Sequence, residues 1–219
     1  MNAEHRPQLF AVVDDAAPAR RVIEVSTALA QALQRPLEVV YVESTPALLA
    51  AALPFTQVLA EGGAQWHRLD PLDVEIGYRA QAQRLRVLTE RITLRHAVHW
   101  SMRVVRGALP RAAFELHAQS DLVLVGTAPA APTLAPPQRR PARPLVIAIA
   151  DDSDAGRRCA QVAQEAVRAL DGTLQLRRAE GGAAGDAAAA TRCDLLVLPR
   201  ALATPAMLAA LPQPALLVA

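Results

Sequence analysis

Two acidic pairs, Asp14-Asp15 and Asp151-Asp152, come nearest in this chain to a reactive constellation. Adjacent carboxylates can share a divalent cation or divide acid and base work between them. Each pair also stands just ahead of a segment with helical periodicity. There a carboxylate caps the first turn and meets the positive end of the helix dipole. Capping is the expected role, with a residual ligand role for Asp14 and Asp151.

The other reactive side chains lack the company that chemistry requires. His96 and His99 flank two apolar residues, and two imidazoles without a third ligand fall short of a metal set. They read as surface or satisfied residues. Cys159 and Cys193 lack CxxC spacing and read as small buried hydrophobes. Ser26, Ser44, Ser101, Ser120 and Ser153 sit in no nucleophile motif, and GxSxG, HExxH, GxGxxG and the P-loop are all absent. All 23 basic residues other than histidine are Arg. This removes Schiff-base, P-loop and general-base lysine chemistry together. The chain is therefore expected not to be an enzyme.

Composition narrows the partners. A net charge of +2 that is scattered along the chain, with 3% aromatic residues, argues against nucleic acid. The N-terminus lacks the apolar core of a signal peptide, and no apolar run approaches the ~20 residues that span a bilayer. The expectation is no membrane association and a cytoplasmic location. Trp66 and Trp100 read as core residues, the alternative being anchors for the segment around them or for a partner surface. Arg20-Arg21 and Arg157-Arg158 read as solvated.

Apolar periodicity supplies the elements that position these residues. Leu9 to Val13 is a short apolar run without polar alternation, as a strand covered on both faces requires. Pro18 stands where a helix can start, and Val22, Val25, Leu29, Ala32 and Leu33 form one helical stripe. Leu37 to Val42 is the next strand, which makes a right-handed βαβ unit. Glu43 to Leu69 reads as one short helix around Ala47 to Leu53, followed by loop. Asp70-Pro71 opens a long helix, Leu72 to Arg95, whose partial apolar face is Val74, Ile76, Leu85, Leu88 and Ile92. Val98 to Val105 is a third strand ended by Gly107. Pro110 begins a helix reaching His117, and Leu122 to Val125 is a fourth strand.

The chain also repeats itself. Residues 9–21 match residues 146–158 without a gap, at an offset of 137, and Leu33, Leu37 and Val39 continue the match onto Leu170, Leu174 and Leu176. A second block, Ser120 to Val125, matches Cys193 to Leu198 at an offset of 73. The second copy is thus shorter by the difference between the offsets, about 64 residues. The expected organisation is a first domain over 1–128, a Pro/Arg-rich linker over 129–143 and a shortened second domain over 144–219.

A strand ending in Val13-Asp14, a helix, a strand, a long helix, then a strand with Gly107-x-x-Pro110, a helix and Asp121 to Gly126, resembles the universal stress protein family. The closing segment, Leu211 to Val218, is similar to that family's last helix, proline and strand. The resemblance implies an α/β fold, a doubly wound parallel sheet of order 3-2-1-4-5, duplicated with a shortened second copy. It places a ligand crevice beyond the carboxyl ends of strands 1 and 4. In ATP-binding members an Asp at the position of Asp14 helps hold the nucleotide, and a Gly-rich stretch after the fourth strand wraps the phosphates.

This sequence departs from the family there. After Gly126 and Thr127 come Pro129, Pro132, Pro136 and Pro137, with no glycine before Gly156. Proline offers no N–H and no positive φ. In the second copy Leu198 is followed by Pro199-Arg200. The expectation is a non-catalytic regulatory or interaction protein with a degenerate nucleotide pocket and no cofactor, acting through protein partners or self-association. Its two halves would form an intramolecular pseudo-dimer, and a homodimer is compatible with this. The alternative is an ATP- or AMP-binding nucleotide sensor using Asp14, Val42, Gly107, Gly126 and Thr127, with Asp151 as the second-copy counterpart of Asp14.

Overall fold

The computed structural model describes residues 8–14, 16–59, 66–116, 119–126, 143–178 and 193–219. The first apolar run becomes β1 (Leu9–Val13), buried at every position. Then follow α1 (Ala16–Ala32), β2 (Leu37–Ser44), α2 (Thr45–Ala51), β3 (Gln57–Leu59), β4 (Trp66–Arg68), α3 (Pro71–Leu94), β5 (Trp100–Gly107), α4 (Leu109–Leu116) and β6 (Leu122–Gly126). After residue 143 come β7 (Leu145–Ala150), α5 (Asp154–Leu170), β8 (Thr173–Arg178), β9 (Leu195–Pro199), a 3-10 turn (Arg200–Leu202), α6 (Pro205–Ala210) and β10 (Ala215–Val218). No helix among the described residues is long and apolar enough to cross a membrane. The linker expected over 129–143 lies, apart from Arg143, outside the described residues.

Eight strands form one sheet in the order β5-β2-β1-β6-β10-β9-β7-β8. β5, β2, β1 and β6 are mutually parallel, as are β10, β9, β7 and β8. The two blocks meet where β10 pairs antiparallel with β6. From its outer edge the first block reads third, second, first, fourth strand, and β10 takes the fifth place. The α/β architecture and its order are as expected, but the sheet is not parallel throughout. β10 follows β9 through the short helix α6 and runs parallel to it, as such a crossover requires. The whole second block is therefore reversed relative to the first.

Period-2 alternation divides the core between two faces. Leu9, Ala11 and Val13 face α1, α3 and α5, whereas Phe10 and Val12 face α4 and α6. Three sequence expectations need correction. Residues 57–68 hold the antiparallel pair β3–β4 and not only loop, with Gln57 opposite Arg68 and Leu59 opposite Trp66. Three-residue strands are too short to display alternation. Trp66 is 64% exposed and not a core residue. The long helix packs with Leu85, Thr89 and Thr93 buried, and with Tyr78, Ala82 and Ile92 beside them, while Ile76 stays outside. The Thr89 and Thr93 hydroxyls donate to the carbonyls of Leu85 and Thr89 at 2.8 and 2.9 Å. Their polarity is satisfied within the helix, so they bury as small residues do.

The two blocks share local detail at the offset seen in the sequence. Gln34 and Asp171 both take positive φ, at 52° and 48°. In both places the next residue donates back to the helix: Arg35 to Ala30, and Gly172 to Val167, each at 2.9 Å. These are left-handed C-terminal caps of one kind, 137 residues apart.

Arg21 and Arg158 are not merely solvated, because each crosses between the blocks. Arg21 Nη2 lies 3.0 Å from Asp194 Oδ1, and Arg158 pairs with Asp121. Arg21 corresponds to Arg158 at offset 137, and Asp121 to Asp194 at offset 73. The two bridges are thus reciprocal, as across a two-fold axis. Arg20 and Arg157 do stay local, on Glu24 and Asp154.

Asp121 also takes Arg35 at 2.5 Å. Burial works to raise its carboxyl, but the hydrogen bond and charge of Arg35, joined by Arg158, hold it below its ordinary value of 3.8. A depressed carboxylate pKa stabilises the fold above the unfolded value, and that contribution is lost as pH falls through the folded value. Asp121→Asn should therefore lower the urea midpoint at pH 7, and the gap from the parent protein should shrink below about pH 4. A gap that stays constant down to pH 3 would show that the charge on Asp121 contributes nothing.

Candidate functional site

The carboxyl ends of the parallel strands β1, β2, β5 and β6 lie at one end of the sheet. Val13 pairs with both Tyr41 and Gly126, and Ser44 pairs with Gly107. Beyond these ends, a crevice of about 240 Å³ is lined by Asp14, Val42, Ser44, Pro46, Gly107 and Leu109. Ala209, carried by α6 of the other block, completes the wall.

Three expected site residues, Asp14, Val42 and Gly107, thus come together. Gly126 and Asp151 are not in the crevice lining. Gly126 ends the strand next to Asp14. A Cβ there would lie 2.3 Å from Val22 Cγ2 and 3.3 Å from Val13 Cγ1, so its absence lets α1 lie close on the sheet. In the described structure Gly126 thus packs closely against α1 and the end of β1. Thr127 lies outside the described residues. Asp151 stands at the opposite edge of the sheet, because β7 runs the other way. Its role also needs correction, since the N-cap of α5 is Ser153, which accepts from Gly156 N at 3.0 Å. Asp151 instead accepts from Ser153 N at 3.1 Å and from its hydroxyl. These hydrogen bonds hold the Asp151 carboxyl below its ordinary value.

No local sequence pattern marks the side chains around Asp14. The Tyr78 hydroxyl donates to Ser44 O at 3.2 Å, and the ring meets Tyr41 edge-on at 6.4 Å. Tyr41 is fully buried and donates to Gln81 Oε1 at 2.6 Å. Burial raises the Tyr78 phenol; the bonds to Ser44 pull it down, and the negative fields of Glu43 and Asp14 push it up. Tyr78 therefore stays protonated at neutral pH, as a donor to the end of β2. Ala209 was hidden for a different reason: only the tertiary fold brings it from position 209 to the end of β1.

A wider groove, about 580 Å³, continues from the crevice along α4 and β5 and shares Pro46, Gly107 and Ala108 with it. Arg103, Arg106 and Arg111 line it, together with Glu115. Arg106 Nε lies 2.9 Å from Glu43 and its Nη2 3.4 Å from Glu75. Arg111 pairs with Glu115 at 2.9 Å. Arg103 Nε is 2.7 Å from Glu38, a close ion pair without good hydrogen-bond alignment, and its guanidinium lies 5.5 Å from the centre of the Phe10 ring.

Among the described residues, no three His, Cys, Asp or Glu side chains gather into a metal set. His96 Nδ1 lies 2.8 Å from Gln31 Oε1. Burial pushes the Cys159 thiol up to about 12 and the Cys193 thiol to about 11. Neither is a thiolate at neutral pH, so neither is a ready nucleophile.

No known family model and no curated protein matches the chain. Its fold is similar to that of a universal stress protein from Archaeoglobus fulgidus DSM 4304, at 10% identity and a TM-score of 0.50, over 97% of this chain and 96% of the other. At that identity the likeness shows the fold alone. Weaker likenesses include a universal stress family protein from Burkholderia pseudomallei (16% identity, TM-score 0.38, 81% of this chain and 99% of that one). Another is a universal stress protein solved in complex with cAMP (14%, 0.32, 78% and 98%).

Proposed function

We propose that this chain is a non-catalytic regulatory or interaction protein of the universal stress type, with a crevice reduced from a nucleotide site. The observation that carries the reading is the crevice itself. It keeps Asp14, Val42 and Gly107 at the strand ends but has no basic side chain in its described lining. The segment that follows Gly126 is rich in proline, which carries no backbone N–H, and contains no glycine. Function then lies in association with protein partners, or in a ligand held without a triphosphate clamp. Calorimetry of nucleotide-free protein with Mg-ATP, ADP and AMP tests this. Mg-ATP should bind no tighter than AMP. Micromolar Mg-ATP binding that disappears in Asp14→Asn would replace this reading with that of a nucleotide sensor.

The halves are read as an internal pseudo-dimer descended from a duplicated unit, supported by the paired C-caps and the reciprocal Arg21–Asp194 and Arg158–Asp121 bridges. A protease cut introduced between residues 127 and 142 should leave the fragments co-eluting at micromolar concentration. Separation of the fragments at that concentration is the outcome that sinks the arrangement.

A further inference from the structure

We propose that the outward face of α3 is the interface of a reversible homodimer, in which α3 of a second copy of this chain packs against it antiparallel about a two-fold axis. The inference rests on the reading of the chain as an interaction protein and names the surface and the partner. One stripe of α3 already packs on the core, with Leu85, Thr89 and Thr93 buried. On the opposite side Ile76, Ala80, Gln83, Val87, Glu90 and Leu94 follow one another at alternating four- and three-residue steps. That is the seam spacing of paired helices, and Leu72 precedes it by one turn. Leu72, Ile76, Val87 and Leu94 are between 44% and 81% exposed. A helix with apolar residues on two opposite sides calls for a neighbour on both.

Charge identifies that neighbour. One flank of the outward stripe carries Asp73 near the start of the helix and Arg91 near its end. Neither has an ion-pair partner among the described residues. A parallel pair of helices would set Asp73 against Asp73 and Arg91 against Arg91, which is repulsive. An antiparallel pair sets each against the other. With the two-fold axis crossing between positions 81 and 82, Asp73 comes level with Arg91 of the second copy, Ile76 with its Val87, and Ala80 with its Gln83. Each contact then occurs twice, as an isologous interface requires. Leu72 and Leu94 close the two ends, and the other flank carries both signs in Arg79, Arg86 and Glu90. The 24 residues of α3 make it about 36 Å long, and a contact strip roughly 10 Å wide covers roughly 400 Å² of each copy. That is small for a specific interface, so the dimer is weak and depends on concentration.

Sedimentation equilibrium of the full chain, from about 1 µM to about 1 mM, tests the interface, with half-association expected on the order of 100 µM. Ile76→Glu/Val87→Glu should raise the dissociation constant more than about tenfold. It should leave the thermal midpoint of the dilute protein unchanged, because both side chains are exposed in the single chain. Asp73→Arg and Arg91→Asp should each weaken the dimer, and the two together should return it to within about threefold of the parent. A chain that stays monomeric up to about 1 mM overturns the interface, as does association that Ile76→Glu/Val87→Glu leaves intact. Single reversals that the double reversal does not rescue overturn the antiparallel pairing. A monomer would leave the reading of the crevice standing, since the nucleotide titration tests that separately.

Discussion

Leu216→Ala should cost about 2–5 kcal/mol of folding stability, and Leu216→Arg should leave no folded protein. Leu216 has no exposed surface, and its strand pairs with β6 on one side and β9 on the other. Its side chain enters the core beneath α1 and α5, and that of Leu217 enters the opposite core. A buried cation there has no partner, and its desolvation exceeds what a domain with ~5–15 kcal/mol of total stability can absorb. Denaturant unfolding followed by far-UV circular dichroism reads the alanine variant. Leu94→Ala, at a residue 81% exposed, is the control and should stay within about 0.5 kcal/mol of the parent. A Leu216→Ala cost below about 1 kcal/mol would be incompatible with β10 at the centre of the sheet.

Gly126→Ala should destabilise the protein by about 1–3 kcal/mol, and Val22→Ala should recover much of that loss. The added methyl meets Val22 Cγ2 at 2.3 Å, and valine is stiff about χ1, so α1 must shift or Val22 must leave its rotamer. Removing the valine methyls opens the space, so the two changes together should cost less than the sum of their separate costs. This double-mutant cycle separates two roles for Gly126. Packing against α1 predicts a strong favourable coupling with Val22. A phosphate-binding glycine predicts additive costs and no rescue.

Much of the fold is legible along the chain because it is written in local patterns. The apolar runs of β1 and β2, the stripe of α1 and the 137-residue repeat need only neighbouring residues to be seen. The closing strand is legible as a strand but not as the antiparallel partner of β6, since no local signal encodes the reversal of one block against another. Arg21 and Arg158 look solvated for the same reason. Arg21 meets its carboxylate 173 residues away. Thr89 and Thr93 hide the true face of α3 because hydroxyls bonded to their own helix pack as small apolar groups do. At the crevice, Asp14, Val42 and Gly107 are readable as strand ends. Ser44, Tyr78 and Ala209 are not, being ordinary residues made neighbours by topology.

The antiparallel joint has a consequence for how the protein is made. β6 is synthesised about ninety residues ahead of the strand that covers it. At roughly 5–20 residues per second, a ribosome leaves that apolar edge without its partner for on the order of 5–20 seconds. An uncovered strand edge is a template for pairing with other chains. The nascent first block thus keeps this edge open until β10 has been synthesised, and a chain that stops before β10 leaves the edge of β6 without its partner.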